Sequence, residues 1–367
     1  MAGKDFSAEL KKIEAAKKSN PENRAMKHFD AAYFGGLDAE QQARLMAVVR
    51  SGFENADSGM GAYAMQPTDY DELKPFMEKV IYDYHGVVAG TKHVNDWSVS
   101  GGPFDLTKLG LGELSMRVRV GRNLSAFPLP GAMSQEQRCA MEEVMVGAFA
   151  KLIAMPEYGG AYNSLTPGHA NFIDKAAYDA LVKEHIMFKD MADDSYLASA
   201  GIASDWPHGR GCYVSEDRQF IIWVGEEDHL RIMCMKKGSV LNEVFDRLKK
   251  ALDTVEAIDG LDFAYSPDFG VITSCPTNLG TGMRASVHVA LPNLTSDKTD
   301  TKVKAICKPL GLSVRGLGGE HTPIGDDGTV DISPSGRFCI KEGEIIGALY
   351  KGLESLVAEE NGDADAE

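Results

Sequence analysis

Leu114-Ser115-Met116-Arg117-Val118-Arg119-Val120 alternates apolar and polar side chains without a break. Successive side chains of a β-strand point to opposite faces, so Leu114, Met116, Val118 and Val120 share one face and Ser115, Arg117 and Arg119 the other. Residues 283–291 repeat the pattern: Met283, Ala285, Val287, Val289 and Leu291 lie opposite Arg284, Ser286 and His288. Residues 230–235 do so again, with Leu230, Ile232 and Cys234 set against Arg231. Residues 212–215 and 219–224 read as a hairpin around Glu216-Asp217-Arg218, and 270–274 and 312–315 as further short strands. Helical spacing covers 135–155, 173–185, 302–310 and 342–359, and is clearest over 240–258, where Leu241, Val244, Leu248, Leu252 and Val255 recur every three to four residues. Upstream of the first strand the spacing is helical throughout, over 8–16, 37–50 and 72–84. The expected fold is α+β: a small all-helical N-terminal domain (1–95), a linker (96–104) within a stretch rich in Gly and Ser, and a larger domain (105–359). The larger domain should hold a mainly antiparallel sheet flanked by helices. The acidic end, residues 360–367, should be disordered.

The chain has 367 residues, 44% hydrophobic and 25% charged, enough to bury a real core. Its formal charge of −16 argues against nucleic acid and against an anionic membrane surface as partners. The N-terminus is polar and lacks the apolar core of a secretory signal, and no apolar run is long enough to span a bilayer, so a cytoplasmic location is expected. The cysteines, Cys139, Cys212, Cys234, Cys275, Cys307 and Cys339, are widely spaced with no C-x-x-C, so neither a disulfide scaffold nor a zinc site is expected.

Walker A, G-x-G-x-x-G, H-E-x-x-H and G-x-S-x-G patterns are absent. Gly325-Asp-Asp-Gly328 reads as a turn rather than a calcium loop. What stands out is arginine at strand positions. Arg117, Arg119, Arg231 and Arg284 each face away from an apolar side. Any one could be a separate salt bridge, but several on one sheet suit a polyphosphate, because guanidinium forks match phosphate oxygens and keep their charge. Gly225-Glu-Glu-Asp-His-Leu-Arg231 places three acids directly before one of these arginines. Cys275-Pro-Thr-Asn-Leu-Gly-Thr281 places a thiol at a strand end, where backbone donors and the Thr277 hydroxyl should stabilise a thiolate and lower its pKa.

With these segments the chain resembles the phosphagen (guanidino) kinase family, its arginine kinase branch above all. The resemblance runs from about residue 25 to about 355. It rests on Cys275-Pro-Thr-Asn-Leu-Gly-Thr281, supported by Trp206-Pro-His-Gly-Arg-Gly211, Glu226-Glu-Asp-His-Leu-Arg231 and Arg315-Gly-Leu-Gly-Gly-Glu-His-Thr322. It implies reversible transfer of the ATP γ-phosphoryl group to a guanidino nitrogen, giving ADP and, for L-arginine, phosphoarginine. It implies a nucleotide site of Ser115, Arg117, Arg119, His185, Arg231, Arg284 and Arg315. Glu227 and Glu320 would clamp the guanidinium with Cys275 beside them, and Ser58, Gly59, Met60, Gly61 and Tyr63 would form the loop over the acceptor's far end. Mg2+ would be held through phosphates and water, with no protein ligand, and the molecule would be a monomer. Gly318 stands where arginine kinases often carry a charged residue, and Met60 and Ala62 also depart from common choices. Taurocyamine therefore remains an alternative acceptor, and a catalytically weak nucleotide-binding protein a further alternative. The short loop 57–64 and Tyr84 favour arginine within the resemblance.

Overall fold

The computed structural model describes residues 5–317 and 322–362. Among them ten strands occur: β1 (Leu114–Arg122), β2 (Ala161–Ser164), β3 (Gly211–Val214), β4 (Phe220–Val224), β5 (Leu230–Gly238), β6 (Tyr265–Ser266), β7 (Gly270–Val271), β8 (Met283–Ala290), β9 (Leu312–Arg315) and β10 (Thr329–Pro334). Eight of these form one sheet in the order β2-β3-β4-β5-β1-β8-β10-β9, and β6 and β7 form a separate pair. The pairings β1–β8, β8–β10, β10–β9, β2–β3 and β3–β4 are antiparallel. The chain divides into two compact units. The first comprises Met1–His93, Gly121–Arg231 and Val255–Gly282, and the second Val94–Val120, Ile232–Thr254 and Met283–Glu367.

In the first unit, helices run over Ser7–Ser19, Arg24–His28, Ala31–Gly36, Ala39–Val48, Arg50–Glu54, Asp69–Glu72 and Lys74–His85. Local chemistry sets their ends. Asn23 and Asp30 accept from the first-turn N–H groups of their helices, and Asp38 with Gln41 forms a reciprocal capping box. Gly86, at φ +64°, closes the last helix in the left-handed conformation that favours glycine. The helix expected over 37–50 runs Ala39–Val48, with a break before a further helix at Arg50, and the one expected over 72–84 runs Lys74–His85, with a break at Leu73 after the short helix Asp69–Glu72. The second break follows from Pro75, which lacks an N–H and is tolerated only in a helix's first turn, so a new helix starts at Lys74. Ile13, Met26, Leu45, Val48, Tyr70, Phe76 and Val80 are buried as the core of this region. Beyond it, the helix Gln135–Ile153 opens on a capping box of Ser134 and Gln137. It stacks Phe149 against Tyr162 and Tyr213.

In the second unit, Val287, Val289, Val330 and Ile332 turn from the sheet to the same buried interior as Ile345, Ile346, Leu349 and Leu353 of the helix Glu342–Asn361. That helix starts with a buried carboxylate: Glu342 accepts from Asn95 Nδ2 at 2.6 Å and the Asp96 N–H at 2.7 Å. It also runs past residue 359. Glu360 accepts the N–H groups of Asn293 and Leu294, so the start of the acidic end is helical and tied down.

The expected strand 270–274 shrinks to Gly270–Val271, because Thr273 and Ser274 turn their backbone groups to partners outside any ladder. The expected helix 173–185 runs only over Lys175–Lys183, capped by Asp174. β2 and β10 were not legible as strands. In β10 the alternation holds only two apolar positions, Val330 and Ile332, before Pro334, too short a run to stand out.

Candidate active site

Within the first unit, one cluster forms around the thiol of Cys275. The loop 57–64 is fastened by its carbonyls and its exit. Gly59 and Met60 carbonyls accept from the N–H groups of Arg24 and Ala25, and the Gly61 carbonyl from Gly52. The Ala64 N–H then donates to the Ser274 carbonyl at 2.8 Å, one residue before Cys275. Gly61 must be glycine: φ is +72°, and a Cβ would come within 2.7 Å of the Gly52 backbone. Ser58, Met60 and Tyr63 are buried. Burial pushes the Tyr63 hydroxyl far up, helped by the charges of Cys275 and Glu227, which places this ring within electrostatic reach of both.

Cys275 is itself buried and accepts from the Thr277 hydroxyl at 3.1 Å. Its pKa departs from the sequence expectation. Burial and then the Glu227 carboxylate push the thiol up, and the donors at Thr277 only partly offset them. The expected lowering counted the donors but not the depth of the site.

Glu227 lies in the turn between β4 and β5, opened by Gly225 at φ +73°. Arg231, at the start of β5, reaches back across this turn. Its Nη1 donates to Glu226 at 2.7 Å and its Nη2 to Glu227 at 3.2 Å. Its guanidinium also lies over the Trp223 ring. The intervening Asp228 points inward. Its Oδ1 accepts from Asn123 Nδ2 at 2.8 Å and from the Ser274 N–H at 2.7 Å. Burial raises its pKa, and these two donors oppose the rise. Gly121 makes room for this carboxylate, since a Cβ there would lie 2.7 Å from Asp228 Oδ2. One buried carboxylate thus joins the turn carrying Glu227 to the segment carrying Cys275. His229 completes the turn as a neutral imidazole. Nδ1 accepts from the Leu124 N–H, Nε2 donates to the Pro128 carbonyl, and burial lowers its pKa to about 4.

In the second unit, strand register assembles a different surface. Ser115 pairs with His288, Arg117 with Ser286 and Arg119 with Arg284 across β1 and β8. Asp331 of β10 pairs with His288 on one side and with Arg315 of β9 on the other. One sheet face therefore carries Arg119, Arg284, Arg117, Arg315, Ser115 and His288, while Met116, Val118 and Val120 are buried opposite. Arg284 is aimed by two bonds, Nε to Ser333 at 3.1 Å and Nη2 to Asp331 at 2.5 Å. Asp331 also meets His288 at 3.4 Å, and its carboxyl is held below the usual range by His288 and Arg284 against the opposing effect of burial. Two arginines directly opposite each other on a sheet repel, an arrangement that suits an anion shared between them.

Of the expected site residues, the structure brings Cys275, Glu227, Tyr63 and Arg231 into the first cluster, and Ser115, Arg117, Arg119, Arg284 and Arg315 onto the second face. His185 belongs to the first unit, exposed at φ +59° in the turn after the helix Lys175–Lys183. Glu320 lies outside the described residues. Asp228 and Asn123 were missed as supporting groups, and Asp331 and Ser333, which match the family's segment 331–338, had no role assigned from the sequence. A signal existed for Asp331, which sits in Asp331-Ile-Ser333 with the spacing of two polar side chains on one strand face. For Asn123 there was none. No group of three or more His, Cys, Asp or Glu suited to a metal occurs among the described residues. No described helix is long and apolar enough to cross a membrane.

A family model described as ATP:guanido phosphotransferase, C-terminal catalytic domain, matches residues 140–363. The arginine kinase of Limulus polyphemus is 35% identical over 364 residues, covering 98% of each chain. Arginine kinase Oct f 2 of Amphioctopus fangsiao is 37% identical over 333 residues, 89% of this chain and 90% of that one. Among solved structures, the duplicated taurocyamine kinase of Schistosoma mansoni with bound transition-state-analogue components superposes with a TM-score of 0.81 at 31% identity, over 96% of this chain and 48% of that duplicated one. A lombricine kinase superposes with a TM-score of 0.77 at 26% identity, over 95% of this chain and 96% of that one. The chain belongs to the ATP:guanido phosphotransferase family. It is a guanidino phosphotransferase with the phosphagen kinase fold.

Proposed function

We propose that the acceptor is L-arginine and that the reaction is its reversible phosphorylation by MgATP. The observation that carries this reading is the compact loop 57–64, locked by its carbonyls and joined to the Cys275 segment through the Ala64–Ser274 bond. Such a loop leaves backbone N–H groups for an α-carboxylate, and the full-length relatives at 35–37% identity are arginine kinases.

The nucleotide phosphates belong on the arginine face. Arg119 and Arg284 neutralise their charge and the charge that develops on the transferring group, with Arg284 already oriented by Asp331 and Ser333. Arg117, Arg315, Ser115, His185 and Arg231 complete the nucleotide contacts in this reading. The donors of that face are cationic, which fits a polyphosphate carrying its own Mg2+ on phosphate oxygens and water; the ion supplies further charge neutralisation there. A guanidinium is a poor nucleophile because it is cationic and delocalised. Glu227 aligns it and accepts its proton as nitrogen attacks, with Glu320 as the second carboxylate. Cys275 acts beside them without covalent bonding to the substrate. The helical region 1–95 contributes the acceptor loop and 105–359 the rest of the site, and the protein acts as a cytoplasmic monomer.

Taurocyamine is the second reading, favoured by the likeness to the Schistosoma structure. Turnover with MgATP and a panel of L-arginine, taurocyamine, lombricine, glycocyamine and creatine decides. L-arginine should show the highest specificity constant. A clear preference for taurocyamine would replace the acceptor, and no turnover with any guanidine would leave a nucleotide-binding protein.

A further inference from the structure

The acceptor loop is held on its outer side by a residue that the reaction scheme does not use. Arg24 stands at the start of the helix Arg24–His28. Its Nη1 donates to the Gly59 carbonyl at 2.9 Å, and its backbone N–H reaches the same oxygen at 3.4 Å. The next carbonyl, of Met60, accepts the Ala25 N–H at 2.9 Å. A trans peptide is planar and sends its C=O and N–H in opposite directions. The peptide that turns Gly59 oxygen toward Arg24 therefore presents the Met60 N–H on its far edge. The peptide that turns Met60 oxygen toward Ala25 presents the Gly61 N–H in the same way. Successive N–H groups freed by such an arrangement form a seat for an anion.

Arg24 is in turn held from two further sides. Its guanidinium lies over the Tyr84 ring at 5.3 Å, and its Nε is 3.6 Å from Asp83 Oδ1. Asp83 also receives Lys27 Nζ at 2.7 Å and meets His28 Nε2 at 2.6 Å, so three side chains converge on one carboxylate. Tyr84, which in the sequence favoured arginine only by resemblance, thereby has a physical part: it is the platform on which Arg24 lies. A cation bonded to a peptide oxygen polarises the whole unit and strengthens its N–H as a donor.

We propose that Arg24, held by Asp83 and Tyr84, is a positioning residue that sets the preference for acceptors carrying an anionic group at the end away from the guanidinium. It acts through the Gly59–Met60 peptide without touching the acceptor. The inference rests on reading residues 58–63 as the acceptor loop, and the test separates the two. The probes are L-arginine and agmatine, which has the same guanidinium and chain but no carboxylate. In Arg24→Met the ratio of kcat/KM for L-arginine over agmatine should fall roughly tenfold, the scale of one charge-assisted hydrogen bond, with KM for ATP unchanged. Arg24→Lys should restore part of the ratio. A ratio unchanged in Arg24→Met, or equal losses for both acceptors, overturns the role of Arg24. Should Arg24→Met fail to fold, Asp83→Asn is read in the same assay, where a lowered ratio supports the role and an unchanged one overturns it. A wild-type enzyme with no preference for L-arginine over agmatine would instead refute the loop reading itself.

Discussion

Replacing Thr277 by valine tests the electrostatic balance at Cys275 directly. Burial and then the Glu227 carboxylate raise this thiol most, Asp228 adds a smaller push, and the Thr277 hydroxyl at 3.1 Å is the side-chain donor that opposes them. Valine keeps the shape and deletes the donor. A hydrogen bond to a charged group contributes about 1.5–3 kcal/mol. At about 1.36 kcal/mol per pH unit, its loss should move the thiol midpoint up by roughly one to two pH units. Only the thiolate is alkylated, so the rate at a fixed pH below the midpoint would drop about 10- to 100-fold. The more basic thiolate is also the better nucleophile, which recovers nearly half of that factor on a logarithmic scale and leaves a net loss of roughly 3- to 10-fold. The assay is iodoacetamide labelling against pH, with peptide mapping by mass spectrometry and the remaining cysteines as internal references. Glu227→Gln is the opposite perturbation, since it removes a raising influence and should lower the midpoint. The pair of opposite shifts is what the structure requires. A Thr277→Val midpoint equal to wild type, or a Glu227→Gln midpoint above it, would refute the reasoning.

Three further outcomes follow from other parts of the molecule. Arg284→Ala should reduce turnover on the order of 100-fold with the fold intact, as for other preorganised donors to a developing charge, and full activity in steady-state assays would remove Arg284 from the phosphate site. Arg44→Ala should destabilise the protein by about 2–4 kcal/mol in urea unfolding, because Asp69, which also accepts the N–H groups of Met65 and Gln66, is fully buried and loses its cation; an unchanged midpoint would contradict this. Burial lowers His229 and His93 to about 4, below the usual value near 6.5 for an unfolded histidine. The unfolded chain then binds the extra protons, so stability is full above about pH 7 and lost as pH falls from about 6.5 toward 4, by about 2 kcal/mol per histidine at pH 5. Unfolding free energies that stay level between pH 7.5 and 5 would count against it.

The arginine face was legible because its signal is local. A strand writes its two faces into consecutive residues, so Arg117 and Arg119 against Met116, Val118 and Val120 show both the strand and the polar side without knowledge of any neighbour. The same holds for Arg284 in β8 and for the long helix Leu241–Glu256. β10 escaped because its alternation is short. Val330 and Ile332 are its only apolar positions before Pro334, and the partners of Asp331 and Ser333, which hold Arg284, lie on another strand.

Residue types alone marked Glu227 and Cys275 as chemically able, and the resemblance assigned them roles. Their environment was another matter. Whether Cys275 is a thiol or a thiolate depends on how deeply it is buried and on which charge stands beside it, and the carboxylate responsible lies 48 positions earlier in the chain. Asp228 bonding to the Ser274 N–H spans 46 positions, and Arg24 bonding to the Gly59 carbonyl spans 35. Periodicity and capping are properties of neighbours along the chain, set by backbone geometry over a few residues. Burial, electrostatic coupling and the direction of a peptide's N–H arise from groups that only folding brings within a few ångströms. The sequence by itself therefore determined the strongly patterned strands β1, β5 and β8, the longer helices and the kinds of side chain in these segments. The tertiary structure decided which carboxylates raise the thiol and which arginine holds the loop 57–64.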